Sequence, residues 1–138
     1  MTQDVVTASI RISATPEEVF PYLTDPELLT LWLADWADTT LEPGGRFAIN
    51  VGDSKVRGTY VLISPPHRVA FTWGLRENTV LPEGSSTVEI YLTADGEETI
   101  VDLTHRDLPV GERAQHMEGW DMCLAKLAET ANSWTVNG

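Results

Sequence analysis

The sequence predicts an α+β fold, a curved antiparallel sheet wrapped around one long C-terminal helix. Three observations carry this. Between Arg46 and Arg106 the chain passes through short segments rich in β-branched and aromatic residues, joined by hairpin-length turns with no helical pattern between them. Strands in that order pair antiparallel. The last segment instead repeats apolar residues at three- and four-residue steps: Ala114, Met117, Trp120, Leu124, Leu127, Ala128 and Ala131. That is a helix of several turns with one apolar face, on a period of about 3.6 residues. Finally, 138 residues with 42% hydrophobic and 22% charged content suffice for a core under a wet surface, and one domain over residues 1–138 is expected.

The opening stretch from Val5 to Ile12 alternates with β-branched residues and reads as a strand. It ends at Thr15-Pro16-Glu17-Glu18, where Thr15 can cap a helix, Pro16 suits its first position and Glu18 completes a capping box. Val19, Phe20 and Leu23 give that short helix its apolar side. A second follows Asp25-Pro26 and carries Leu28, Leu29 and Trp32. Ala34 to Leu41 is a weak strand, and Glu42-Pro43-Gly44-Gly45 is a turn. Strands follow at Arg46 to Val51, Val56 to Ile63, Arg68 to Trp73, Ser86 to Thr93 and Thr99 to Arg106. The last two are joined by the hairpin signal Ala94-Asp95-Gly96-Glu97. Gly74 to Ser85 reads as a long exposed loop. The expected order is therefore strand, two short helices, six strands and a long helix.

A formal charge of −12, from 21 acids against 9 Lys and Arg, repels phosphate backbones, and no basic stripe compensates. Nucleic acid and anionic membrane surfaces are excluded as partners on that ground. No apolar run approaches the roughly 20 residues of a membrane span, and Met1 to Ile10 lacks the basic-then-apolar pattern of a secretory signal. A cytoplasmic location is the resulting expectation. Cys123 is the single cysteine, so no internal disulfide forms, and it reads as a small buried hydrophobe on a helix.

Chemistry-bearing motifs are scarce. Gly44-Gly45 lacks the Lys-Ser/Thr of a phosphate loop, the serines sit in turns, and His67, His105 and His116 show no ligand spacing. No metal site, no cofactor and no catalytic set is expected. His105 differs from the other two. Alternation places it on the same face as Val101 and Leu103, at a strand end near the mouth of any cavity. It reads either as a histidine satisfied by a backbone carbonyl or as a polar anchor or acid–base group. His116 reads as a helix residue among polar neighbours.

Several strings carry a resemblance: Ser13-Ala14-Thr15-Pro16-Glu17-Glu18-Val19-Phe20, Leu23-Thr24-Asp25-Pro26-Glu27 with Trp32 after it, Pro43-Gly44-Gly45-Arg46-Phe47, Gly58-Thr59-Tyr60-Val61-Leu62-Ile63, Pro65-Pro66-His67-Arg68-Val69-Ala70-Phe71-Thr72-Trp73, Leu103-Thr104-His105, and Gly119-Trp120-Asp121-Met122-Cys123-Leu124-Ala125-Lys126-Leu127. Over nearly the whole chain it resembles the SRPBCC or START-like superfamily, and within it the activators of the heat-shock-protein-90 ATPase and their bacterial homologues. The resemblance implies the helix-grip fold of birch-pollen-allergen-like proteins. The eukaryotic co-chaperones of that family are larger, with a separate chaperone-docking domain, so the ATPase-activating role is not carried over.

Fold alone does not give function. The favoured expectation is a small hydrophobic or aromatic ligand held between helix and sheet by Trp32, Phe47, Tyr60, Phe71, Trp73, His105, Met117, Trp120 and Leu124. A cyclase- or dehydratase-type enzyme on small aromatic or polyketide substrates, with His105, Tyr60 or a pocket acid handling protons, is the second. A protein-interaction module with a chaperone partner is the third, resting on Trp36 and Val80-Leu81-Pro82 as an apolar patch.

Overall fold

The computed structural model describes residues 5–132; Met1–Asp4, the start of the stretch tested for a signal, lie outside them. The elements are β1 (Val5–Ile12), α1 (Pro16–Thr24), α2 (Pro26–Leu29), β2 (Trp36–Thr39), β3 (Arg46–Val51), β4 (Ser54–Ser64), β5 (Arg68–Trp73), β6 (Ser86–Asp95), β7 (Glu98–Arg106) and α3 (Val110–Ala131). Seven antiparallel strands form one curved sheet in the order β1-β7-β6-β5-β4-β3-β2. A register shift between Tyr60 and Leu62 in β4 marks an irregularity there, the kind of device that bends a strand.

Local chemistry sets the boundaries. At α1, the Glu18 amide donates to Thr15 Oγ1 at 3.3 Å and the Thr15 amide donates to Glu18 Oε1 at 2.9 Å, the reciprocal capping box. Asp25 closes α1 and opens α2, its Oδ1 accepting from the Glu27 amide at 2.8 Å. Gly44 takes φ +81° in the turn before β3, a region open to glycine and resisted by residues with a Cβ.

The core lies between the sheet and α3, with α1 and α2 closing one end. Val6, Ile12, Ile49, Val69, Val88, Ile90, Val101 and Leu103 point inward from the strands and are essentially inaccessible. From α3 come Trp120, Leu124, Leu127 and Ala131. This places the buried line of α3 differently from the apolar repeat. Ala114 and Met117 are exposed, Met117 at 44%. Inward-facing positions of the first turns carry Glu112, His116 and Gly119 instead, so apolar periodicity misplaced that half of the helix.

The Gly74 to Ser85 segment is also not a free loop. Leu75 bridges Val56 and Pro82, and Leu81 is buried at 1%. Asn78 Oδ1 accepts from the Val80 and Leu81 amides at 2.8 and 2.7 Å, a side-chain-closed turn that presents Leu81 inward. Among the described residues no helix is long and apolar enough to cross a membrane.

Candidate functional site

α3 approaches β1 and α1 most closely, and a gap opens on its opposite flank. There lies a cavity of about 240 Å³. Its floor is Trp73 and Leu75 at the end of β5. One side is Leu33 with Val51, Ser54 and Val56 from the β3–β4 hairpin. The other is the α3 flank of Glu112, Gln115, His116, Gly119, Trp120 and Cys123. Two tryptophans form its aromatic wall, with ring centroids 5.1 Å apart and planes tilted by 53°.

The expected site residues divide sharply. Trp73 and Trp120 line the cavity. Phe47 and Phe71 stack face to face at 3.9 Å, and Tyr60 meets their edges at 5.7 and 6.2 Å. Those three rings are buried and fill the core beside Trp73 with protein. Leu124 belongs to the same packed core, and Trp32 is buried with its Nε1–H donating to the Tyr22 carbonyl at 2.8 Å. Met117 faces solvent.

His105 sits neither at a strand-end mouth nor on the cavity wall. It is fully buried behind the tryptophans, because Ser86 of β6 and Trp120 of α3 cover it. Trp120 Nε1–H donates to His105 Nδ1 at 3.0 Å. Indole nitrogen can only donate, so Nδ1 must be the accepting nitrogen and Nε2 carries the ring's hydrogen. Ser86 Oγ lies 2.8 Å from Nε2 and donates its own hydrogen to the Trp73 carbonyl at 2.7 Å. The serine oxygen therefore accepts from Nε2–H. A neutral imidazole satisfies every partner in the chain Trp120, His105, Ser86, Trp73, and a protonated one would break the bond to Trp120. Burial, with His116 adding repulsion, pushes the His105 pKa down to about 3. The partners are side chains, not the backbone carbonyl expected.

His116 is the group that residue patterns missed. Its ring is half-buried, 5.3 Å from His105 and 6.3 Å from Trp73, and it lines the cavity. The signal was present as Glu112, His116, Gly119 and Cys123, spaced by three or four on one flank of α3. Cys123 is half-buried on the same wall, and burial pushes its thiol pKa up against the opposing charge of Lys126. It is held in its thiol form at neutral pH.

Tyr60 presents a separate oddity. Its hydroxyl is buried without a hydrogen-bond partner among the described residues. Thr39 lies near enough to oppose the shift but is not in bonding geometry, and burial pushes the phenol up to about 12. Tyr60→Phe is expected to leave stability unchanged or raise it by up to ~1 kcal/mol, since an unmade buried hydrogen bond is a cost removed. Chemical denaturation measures this, and a loss above ~1 kcal/mol would show that the hydroxyl has a partner.

Comparison with known proteins settles the family. Residues 13–132 match the family described as Activator of Hsp90 ATPase homolog 1-like protein. The chain belongs to that family. The AHSA1-like protein RHE_CH02687 of Rhizobium etli is 40% identical, with 93% of this chain and 81% of that one covered and a TM-score of 0.73. CalU16 of Micromonospora echinospora is 25% identical over 90% of this chain and 71% of its own, at a TM-score of 0.76. The Aha1 dimer of Colwellia psychrerythraea, 18% identical, covers 96% of this chain and 97% of its own at 0.81 and speaks for the fold alone. No curated protein matches the sequence. The helix-grip architecture of the family is the one that the resemblance implied.

Proposed function

We propose that this family member binds a small hydrophobic or aromatic molecule in the cavity between the first half of α3 and the β3–β4 end of the sheet. The observation that carries the reading is the cavity itself. It is preformed, walled by Leu33, Val51, Val56, Trp73, Leu75 and Trp120, and carries a few polar groups on one side. Small-molecule sites have that composition. A packed core of this size has few voids larger than a water.

The two other readings are weaker. Proton chemistry loses its leading group, because both nitrogens of His105 are engaged by Trp120 and Ser86. An interaction surface retains Trp36 and Val80, exposed at 44% and 59%, but loses Leu81 to the core. Arg57 lies over the Trp36 ring at 5.4 Å and covers one of its faces.

The test is a thermal-shift and tryptophan-fluorescence screen against aromatic metabolites, with Trp73 and Trp120 as reporters. A ligand about a hundredfold above its Kd should raise Tm by roughly 10 °C. Because Cys123 is the single cysteine and lines the cavity, the same ligand should slow its reaction with a maleimide dye. A broad screen with neither effect would overturn the reading and leave a chaperone partner as the next to test.

A further inference from the structure

Apart from Ser54 on the hairpin side, the polar groups of the cavity lie on the α3 wall. Its lining holds a carboxylate, Glu112, and neither Lys nor Arg. Beside the carboxylate, His116 Nδ1 lies 2.8 Å from the Glu112 carbonyl oxygen. A carbonyl only accepts, so Nδ1 carries a hydrogen. The Glu112 carboxylate is 3.9 Å from the same Nδ1. The wall thus presents an anionic acceptor, and it adjoins the indoles of Trp73 and Trp120, whose faces attract cations. Around it, a chain of formal charge −12 draws cations in and repels anions.

We infer that the site selects a positively charged aromatic amine of one or two rings. The ring packs against the Trp73 and Trp120 indoles and the ammonium meets the Glu112 carboxylate. This rests on the small-molecule reading above and narrows its chemistry. Size sets the ring count: a cavity of about 150 Å³ takes benzene, and pockets for drug-sized molecules run from about 300 Å³ upward. At about 240 Å³, one ring or a fused pair fits and a four-ring skeleton does not. A fatty or aromatic acid would bring its carboxylate to Glu112 with neither Lys nor Arg in the lining to pair with, which the low local dielectric makes costly.

Three naphthalenes of matched shape separate charge from fit: naphthylmethylamine, naphthylmethanol and naphthoate. Each is titrated calorimetrically into the full chain and into Glu112→Gln, which removes the charge and keeps the size. The amine should bind at least about tenfold tighter than the alcohol, the sum of a charged hydrogen bond and a cation–π contact, and naphthoate should bind weakest. In Glu112→Gln the amine should fall to the level of the alcohol, whose own affinity should hold. Should the alcohol match the amine, or the variant preserve the amine's advantage, charge selection is overturned while the cavity still binds. Naphthoate binding tightest overturns it too. If none of the three binds or protects Cys123, the small-molecule reading itself fails and this inference with it.

Discussion

His105→Leu should lower the free energy of unfolding by roughly 3 kcal/mol, measured by urea denaturation. The substitution keeps an apolar side chain of fair size in a fully buried position, so lost packing is the lesser effect. What it removes is the acceptor for Trp120 Nε1–H and the donor to Ser86 Oγ. Leaving a buried polar group unpaired costs about 1–3 kcal/mol each. His105→Gln is the control. Its amide oxygen can accept from the indole and its NH₂ can donate to the serine, so the loss should be under ~1.5 kcal/mol. A leucine variant as stable as the wild type would mean that the Trp120–His105–Ser86 chain holds nothing.

The same pair of proteins isolates a pH effect. His105 is neutral in the fold, with its pKa pushed down to about 3 by burial first and by His116 second, while the unfolded chain protonates it near pH ~6.5. Below that pH the unfolded state binds more protons. The stability it contributes is therefore fully present above about pH 6.5 and drains away as pH falls toward 3, at up to ~1.4 kcal/mol per pH unit. Between about pH 6.5 and 5 the wild type should lose up to ~2 kcal/mol more than His105→Gln. His116, 5.3 Å away, and Glu112 beside it are present in both proteins, so the difference reports His105. Parallel curves would show that the buried ring is not held neutral.

Much of this arrangement was legible in the sequence, for identifiable reasons. Strand faces read correctly where one face is sealed: Phe47 and Ile49, or Val101 and Leu103, alternate because a one-residue slip would turn them into water. Thr15 and Glu18 announce α1 because their bonds are local. The half of α3 around Trp120, Leu124 and Leu127 was readable for the same reason as the strands. Its first turns were not. Apolar periodicity finds side chains that protein covers, and the flank bearing Glu112, Gln115, His116 and Gly119 faces a void. Its polarity breaks the repeat, so the eye passes to Ala114 and Met117, which are in fact exposed. His105 shows another limit. Period-2 alternation put it on the inner face, but whether that position lies at a mouth or under a lid depends on Ser86 and Trp120, 19 and 15 residues away in sequence. Likewise, the Phe47–Phe71–Tyr60 cluster and the cavity wall use the same residue types, and only packing separates them.

Gly119 offers the sharpest test of where function resides. A glycine in a helix interior is about 1 kcal/mol worse than alanine, and a backbone that needed the space would explain it. Here nothing lies within 4 Å of where a Cβ would stand, and its φ is not positive. Neither close packing nor conformation calls for glycine, whereas the void it faces does. Gly119→Leu should therefore raise stability by about 1–2 kcal/mol, from helix propensity and from apolar surface buried in the void, and move Tm up by roughly 5 °C. It should at the same time remove saturable ligand binding, because the new side chain occupies the ligand's volume. Gly111 is the matched control: its Cβ would also meet nothing within 4 Å, yet it lies off the cavity lining. Gly111→Ala should gain only a few tenths of a kcal/mol in the first turn of the helix and bind as the wild type does. Stabilisation with binding lost would mark α3's flank as a surface kept open against the preference of the fold. Stabilisation with binding intact would move the ligand elsewhere, and destabilisation would mean that the space beside Gly119 is already filled.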